Sequence, residues 1–135
     1  MNLKLEWKEN MNFTAYTPSG HEVEIDSSPK VGGHDSAARP MELMLVSLAG
    51  CTAMDVISML SKMKAQPEGF RVEVDYERAP EHPKVYTKLH LKYIFKGKVD
   101  RKKAQKAIEL SQTKYCSASA MLRKVTDLTY EMIFS

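Results

Sequence analysis

The longest apolar stretch of the chain runs from Arg39 to Met63, and the rest of the sequence is organised around it. Its apolar residues fill more than one side of a helical wheel, which is typical of a helix buried in a larger core. Pro40, with Glu42 shortly after it, favours a helix start. The uncharged run from Leu43 to Met54 has 12 residues. A membrane span needs roughly 20, so we predict a buried helix and no membrane partner.

Shorter alternating stretches precede this helix. Apolar residues alternate with charged or polar ones at Leu3–Trp7, Phe13–Tyr16 and Val23–Ile25, with turn residues between them. This pattern predicts a meander of three strands. The Gly/Ser-rich segment from Ser27 to Arg39 has no periodicity, and two interpretations stay open. It is either a loop that lies over a site or bridges to another subunit, or a plain connector.

After the helix, residues 70–79 and 85–95 alternate cleanly and predict a long antiparallel hairpin with one face in water. In this hairpin Val85 and Thr87 share a side with Leu89. Asp100 is suited to cap a helix that runs to about Lys114. Residues 115–122 predict a short helix, and residues 128–134 a closing strand. The order βββ–α–ββ–α–α–β predicts one α+β domain over residues 1–135, with an antiparallel sheet wrapped around the long helix.

A single small sheet can cover only part of a helix that is apolar on all sides. The remaining apolar surface needs a partner, and a second copy related by two-fold symmetry is the simplest one. We therefore predict a homodimer in which the two long helices pack against each other.

Composition and charge exclude several classes of protein. With 43% hydrophobic and 27% charged residues, the chain is an ordinary globular one. The net charge of +3 is mild, and the one basic run, at 101–103, fits a solvated helix face, so we expect no nucleic-acid partner. The first ten residues lack an apolar leader, which favours the cytoplasm. The four histidines are scattered and no CxxC occurs, so we expect no metal and no cofactor.

Two cysteines, Cys51 and Cys116, are the candidates for chemistry, and they are too few for a disulfide scaffold. Cys51 lies in mid-helix, where Asp55 one turn later would raise its pKa, so taken alone it is typical of a small buried apolar residue. Cys116 begins a helix beside Lys114, which suits a thiolate better. A second thiol nearby can trap a sulfenic acid as a disulfide. The residues alone leave both interpretations open: a two-cysteine redox site, or two buried cysteines.

Three short segments carry a recognisable pattern: RPMEL at 39–43, LAGC at 48–51 and YCSAS at 115–119. Together they resemble the OsmC/Ohr family of osmotically inducible and organic-hydroperoxide-resistance proteins, with the YhfA-like branch nearest. The likeness covers the whole chain. It implies an intertwined homodimer with a six-stranded sheet in each half and two long central helices.

The resemblance also implies a thiol peroxidase of oxidative-stress defence. Cys51 would attack the peroxide oxygen, and Cys116 would resolve the resulting sulfenate as a disulfide. Organic hydroperoxides would be the substrates and a lipoyl-type dithiol the reductant. In the family a glutamate and an arginine activate the first cysteine, and the candidates here are Glu42 and Arg39. Met41 stands where the family's glutamate follows the proline, so this chain departs from the pattern at that position.

Two further functions remain as alternatives. One is a non-enzymatic, dimeric binding protein of the same fold. Several of its nine methionines lie beside the cysteines in the sequence and would line an apolar pocket between the helices. The other is a redox sensor that passes its disulfide to a partner protein, although the charged strand faces offer no obvious docking patch.

Overall fold

The computed structural model describes residues 1–135 and contains six strands and three α-helices. The strands are β1 (Lys4–Glu9), β2 (Asn12–Tyr16), β3 (Glu22–Ile25), β4 (Gly69–Arg78), β5 (Tyr86–Lys96) and β6 (Asp127–Phe134). The α-helices are α1 (Pro40–Lys62), α2 (Arg101–Leu110) and α3 (Ser117–Leu122), with a 3₁₀ turn at Pro29–Val31 and a π-helix at Ser111–Tyr115. The predicted α+β class and the predicted order of elements are confirmed.

The chain divides into two compact units, Met1–Leu45 and Val46–Ser135, and the boundary falls inside α1. In the first unit β1, β2 and β3 form the predicted antiparallel meander. Phe13 in the central strand lies opposite Trp7 on one side and Ile25 on the other. The alternation of apolar and polar residues therefore gave the correct strands and the correct pairing in this unit.

The loop after β3 is folded around one buried carboxylate, that of Asp26. Asp26 accepts the backbone N–H groups of Ser27, His34 and Ser36 and the hydroxyl of Ser36. These bonds, led by the Ser36 hydroxyl, lower the pKa of Asp26 from 3.8 to about 2. The loop also packs tightly at Gly33, where a Cβ atom would clash with the carbonyl oxygen of Ser27. The Asp26 carboxylate thus holds both ends of this loop together, whereas the buried hydroxyl of Ser27 has no hydrogen-bond partner.

The second unit contains the other sheet, in which β5 lies between β4 and β6. β4 pairs with β5 in the antiparallel sense, as predicted, whereas β6 pairs with β5 in parallel. The single antiparallel sheet that we predicted is therefore, within one chain, two three-stranded sheets, one of them mixed. The reason is the long helical connection between β5 and β6, because a crossover of this kind returns the chain in the same direction.

A β-bulge changes which residues of β5 face inward. The register shifts between Glu77 and Arg78, so that Arg78 pairs with Tyr86 and skips Thr87. Tyr86 is consequently buried on the same strand as Leu89, and Val85 is exposed. The prediction that Val85 shares the inner face with Leu89 was wrong, because an extra residue in a strand reverses the alternation beyond it.

Helix α1 buries one stripe, formed by every fourth residue: Leu48, Thr52, Val56 and Leu60. Other apolar residues of the helix remain exposed in one chain, among them Val46 and Met54, whose exposed fractions are 63% and 76%. The expectation of burial on all sides is thus not met by a single chain. By length and composition alone α1 could also span a bilayer, but the core helix of a soluble protein passes the same test.

Candidate active site

The two free cysteines, both in the second unit, lie beside each other. Cys51 is near the middle of α1 and partly exposed, whereas Cys116 precedes α3 and is only 2% exposed. The two thiol groups interact, since the neighbouring Cys51 thiol raises the pKa of Cys116. Folding therefore brings together two sulfur atoms that are far apart along the chain.

Cys116 is held in place by Ser119. The sulfur of Cys116 caps α3 by accepting the backbone N–H of Ser119 at 3.3 Å, and it also interacts with the Ser119 hydroxyl. Burial raises the pKa of Cys116 above 9.0, the neighbouring Cys51 thiol adds to the rise, and the two bonds from Ser119 oppose it. Cys116 is consequently a neutral thiol at pH 7 in the resting protein.

A buried hydrogen-bond network lies against this thiol pair, and we call it the polar network. Its members come from α1, β5, the π-helix and α3, and all are buried: Thr52, Tyr93, Ser111, Gln112 and Ser119. The hydroxyl oxygen of Thr52 lies 2.7 Å from both the Tyr93 and Ser111 hydroxyls. Nε2 of Gln112 lies 2.8 Å from the Tyr93 hydroxyl and 3.1 Å from that of Ser119. Through Ser119 the network reaches the sulfur of Cys116.

The polar network ends in a charged group on each side. At one end the Ser111 hydroxyl donates to Oδ2 of Asp55 at 2.8 Å. At the other end the guanidinium of Arg123 donates to Oε1 of Gln112 at 2.8 Å. Between them, burial raises the pKa of Tyr93 to about 12, so its hydroxyl remains protonated at neutral pH.

The π-helix explains how two consecutive side chains both enter the polar network. Ser111 and Gln112 are its first two residues and both are buried. The π-helix closes with the N–H of Cys116 donating to the carbonyl of Ser111 at 2.8 Å, one residue further back than in an α-helix. Such single π turns are rare and are found mostly at functional sites.

A cavity of about 360 Å³ adjoins the Asp55 end of the polar network, and it is lined by Asp55, Ser58, Met59, Lys62, Leu110 and Tyr115. Residues four apart share a helix face, so Asp55 follows Cys51 on α1 by one turn. The cavity therefore continues the helix face that carries Cys51, and both a cation and apolar groups line it.

The other two predicted site residues, Arg39 and Glu42, lie in the first unit. The guanidinium of Arg39 pairs with Asp35 and donates to the carbonyl of Ala37. The carboxylate of Glu42 accepts the backbone N–H of Arg39 at 2.8 Å, and the N–H of Glu42 returns to the Arg39 carbonyl. Glu42 thus acts as a reciprocal cap at the start of α1. The guanidinium of Arg39 is therefore paired with Asp35, whereas the carboxylate of Glu42 binds the backbone of Arg39.

Sequence reasoning missed Thr52, Tyr93, Gln112, Ser119 and Arg123. Two weak signals existed: polar Thr52 lies inside an apolar helix next to Cys51, and Ser119 belongs to the motif at 115–119. Gln112 and Arg123 gave none, since exposed amides and cations are common on helices. No group of three His, Cys, Asp or Glu side chains is arranged to hold a metal ion.

A chain with this sequence pattern and this α+β architecture belongs to the OsmC family. The family described as OsmC-like protein matches residues 33–131, which is most of the chain. The predicted family is therefore confirmed.

Individual relatives agree. Protein YhfA of Escherichia coli K12 is 34% identical over 137 aligned positions, covering 98% of both chains. The crystal structure of a hypothetical protein from Aquifex aeolicus VF5 is similar with a TM-score of 0.81 and 29% identity, covering 99% of this chain and 96% of the other. An organic hydroperoxide resistance protein from Elizabethkingia anophelis has the same fold, with a TM-score of 0.71 and 17% identity over 100% and 97% of the two chains.

Proposed function

We propose that this protein is a cysteine-based hydroperoxide reductase. The observation that carries the proposal is the pair of neighbouring free thiols, one accessible and one buried. A peroxidatic thiol must be reached by its oxidant, and a resolving thiol must be close but protected. Cys51 fits the first role and Cys116 the second.

The reaction balances as two steps. The Cys51 thiolate attacks the terminal peroxide oxygen, the O–O bond breaks, and the alkoxide takes up a proton to leave as an alcohol. The sulfenic acid on Cys51 is then attacked by the sulfur of Cys116, which forms the disulfide and releases water. A dithiol reductant restores both thiols.

The finer parts of this proposal come from the family. Organic hydroperoxides are the proposed substrates, in keeping with solved relatives described as organic hydroperoxide resistance proteins. A lipoyl-type dithiol is the proposed reductant and the cytoplasm the proposed compartment. Arg39 and Glu42 keep their proposed role as the activating pair. Because the family match spans both compact units, residues 1–135 act as one domain in this proposal.

A homodimer is also part of the proposal. Leu3, which precedes β1, and Leu5 and Trp7 on β1 are all more than half exposed in one chain. On α1 several apolar residues outside the buried stripe are exposed as well, including Val46 and Met54. Surfaces of this kind are commonly covered by a second copy. Light scattering should give a dimer, and a stable monomer of about 15 kDa at micromolar concentration would contradict it.

The central experiment is a reaction with cumene hydroperoxide. Mass spectrometry of the reduced protein should record the loss of two protons as the disulfide forms. Cys51→Ser should abolish both peroxide consumption and disulfide formation. Cys116→Ser should still form a sulfenic acid, which dimedone would trap. A wild-type protein that consumes no peroxide and forms no disulfide would overturn the proposal.

A non-enzymatic binding protein is the second candidate, and the cavity beside Asp55 favours it. Its volume of about 360 Å³ lies within the usual range of small-molecule sites. Co-purification of a lipid with peroxide turnover too slow to measure would support this alternative.

A further inference from the structure

The direction of every hydrogen bond in the polar network is fixed by its two charged ends. A carboxylate can only accept and a guanidinium can only donate. Because Ser111 donates its one hydroxyl hydrogen to Asp55, it must accept from Thr52, and Thr52 must in turn accept from Tyr93. The phenol oxygen of Tyr93 is then left to accept from Gln112.

The other end fixes the amide of Gln112. Because Arg123 donates to its Oε1, the NH₂ group of Gln112 must face Tyr93 and Ser119. The hydroxyl oxygen of Ser119 therefore accepts from Gln112, and its own hydrogen is free for another acceptor. The sulfur of Cys116 lies beside this hydroxyl, because it accepts the backbone N–H of the same residue at 3.3 Å.

We propose that Ser119 donates its hydroxyl hydrogen to the sulfur of Cys116 during resolution, and that Gln112 and Arg123 are positioning residues that fix the direction of this bond. The inference rests on the proposed function, since it describes the second thiol of that reaction. Ser119 then supplies two donors to one sulfur, its backbone N–H and its hydroxyl.

The chemical consequence concerns the resolving step. The thiol proton of Cys116 must leave before or as its sulfur attacks the sulfenic sulfur of Cys51. The S–S bond forms, the S–O bond breaks, and the departing hydroxide takes the proton as water. Two hydrogen bonds to the developing thiolate favour this step, whereas burial of the sulfur opposes it. Without Arg123 the amide of Gln112 could reverse, and Ser119 would then donate to its oxygen and no longer to the sulfur.

The groups that act on Cys116 are few. Cys51 from α1 contacts its sulfur directly, and Tyr93 from β5 interacts with it electrostatically while remaining protonated. Asp55 and Arg123 act through the polar network and are separated from the sulfur by Ser111 and Gln112 respectively. A titration of Cys116 can therefore be interpreted once Cys51 is removed.

The test is a pH titration of Cys116 in the Cys51→Ser background. The ¹³Cβ chemical shift of labelled cysteine reports the thiolate without requiring access by a reagent. Adding Ser119→Ala should lower the thiolate fraction at a fixed alkaline pH about tenfold. Adding Arg123→Met should lower it about threefold or more, although Arg123 does not touch the sulfur.

Lys124→Met is the matched control. It removes the same charge from the next position, and the side chain of Lys124 has no partner in the polar network. We expect less than about a twofold change. Arg123 and Lys124 are both exposed, so these variants should fold even if Ser119→Ala does not.

An unchanged titration in Arg123→Met, or an equal shift in Lys124→Met, would overturn the inference. The titration uses no peroxide, so it is independent of turnover. Shifted titrations without peroxidase activity would count against the proposed function alone. Normal peroxide-driven disulfide formation with unshifted titrations would count against this inference alone.

Discussion

Both compact units bury polar groups, but they satisfy them in different ways. In the first unit Asp26 receives all of its donors from the ten residues that follow it in the sequence. In the second unit Thr52, Tyr93 and Gln112 belong to three separate elements and meet only after the unit has packed. The Asp26 loop is therefore a local structure, and the polar network reports on tertiary packing. Substitutions should consequently disturb one without disturbing the other.

The largest loss of thermal stability is expected from Asp26→Asn. An amide cannot accept all four hydrogen bonds of the carboxylate, and its NH₂ group would face N–H donors. We expect the melting temperature to fall by at least about 5 °C. Hydrogen exchange should accelerate at the amides of Ser27, His34 and Ser36 while residues of the polar network stay protected.

Glu24→Gln is the control for this variant, because it removes the same charge from an exposed position on β3. Its melting temperature should change by less than about 1 °C. If the amides of β5 and the π-helix lost protection along with the loop in Asp26→Asn, the two regions would form one cooperative unit and the comparison would be wrong.

The next largest effect is expected from Tyr93→Phe. Loss of the hydroxyl leaves a buried donor on Gln112 without this partner, and we expect a decrease of about 1–3 kcal/mol in the free energy of unfolding. Tyr130→Phe is the matched control, since its ring packs edge-on against Tyr93 but the residue is 42% exposed. In denaturant unfolding, the control should lose less than about 0.5 kcal/mol of its free energy of unfolding. An equal decrease in both variants would contradict the role of the polar network.

A smaller effect is expected in the pH dependence of stability, which Asp26 should alter at acid pH and Tyr93 at alkaline pH. The pKa of Asp26 is lowered from 3.8 to about 2, so its contribution is present above pH 3.8 and is lost as the pH falls through 2. The pKa of Tyr93 is raised from 10.0 to about 12, so stability is retained below pH 10.0 and is lost as the pH rises through 12. Unfolding measured at both extremes should show Asp26→Asn flattening the acid limb and Tyr93→Phe the alkaline limb.

The smallest effect on stability is expected from Arg39→Gln. Its ion pair with Asp35 is partly exposed, so its removal should leave the melting temperature almost unchanged. If Arg39 activates Cys51 as proposed, the reaction with cumene hydroperoxide should nevertheless slow at least about tenfold. Stopped-flow kinetics would decide, and an unchanged rate would remove Arg39 from the activating pair.

Most of the fold could be predicted, because short-range patterns determine it. The alternation around Phe13 and Val72 predicted strands, and Asp100 predicted the start of α2, where it accepts the N–H of Lys103. Among the features that escaped are the bulge beside Tyr86 and the parallel pairing of β6. Both depend on how strands are registered in space, which the alternation within one strand does not determine.

Less of the candidate active site was visible in the sequence. The resemblance identified Cys51 and Cys116 as a pair, and their proximity in the structure is consistent with that hypothesis. Gln112 and Arg123 could not be found, because a buried amide and an exposed one look the same in a sequence. Gln112 enters the polar network only because the π-helix packs against α1 and β5.

The π-helix makes the spacing between Leu110 and Cys116 as important as the residues within it. A wide turn accommodates one more residue than an ordinary turn, so deleting Thr113 or Lys114 would allow α2 to continue as a regular helix. Each later side chain would then rotate by about 100° around the axis. Cys116 would then turn away from Cys51. The protein would keep both thiols and every other functional group, but the two sulfur atoms would no longer lie beside each other.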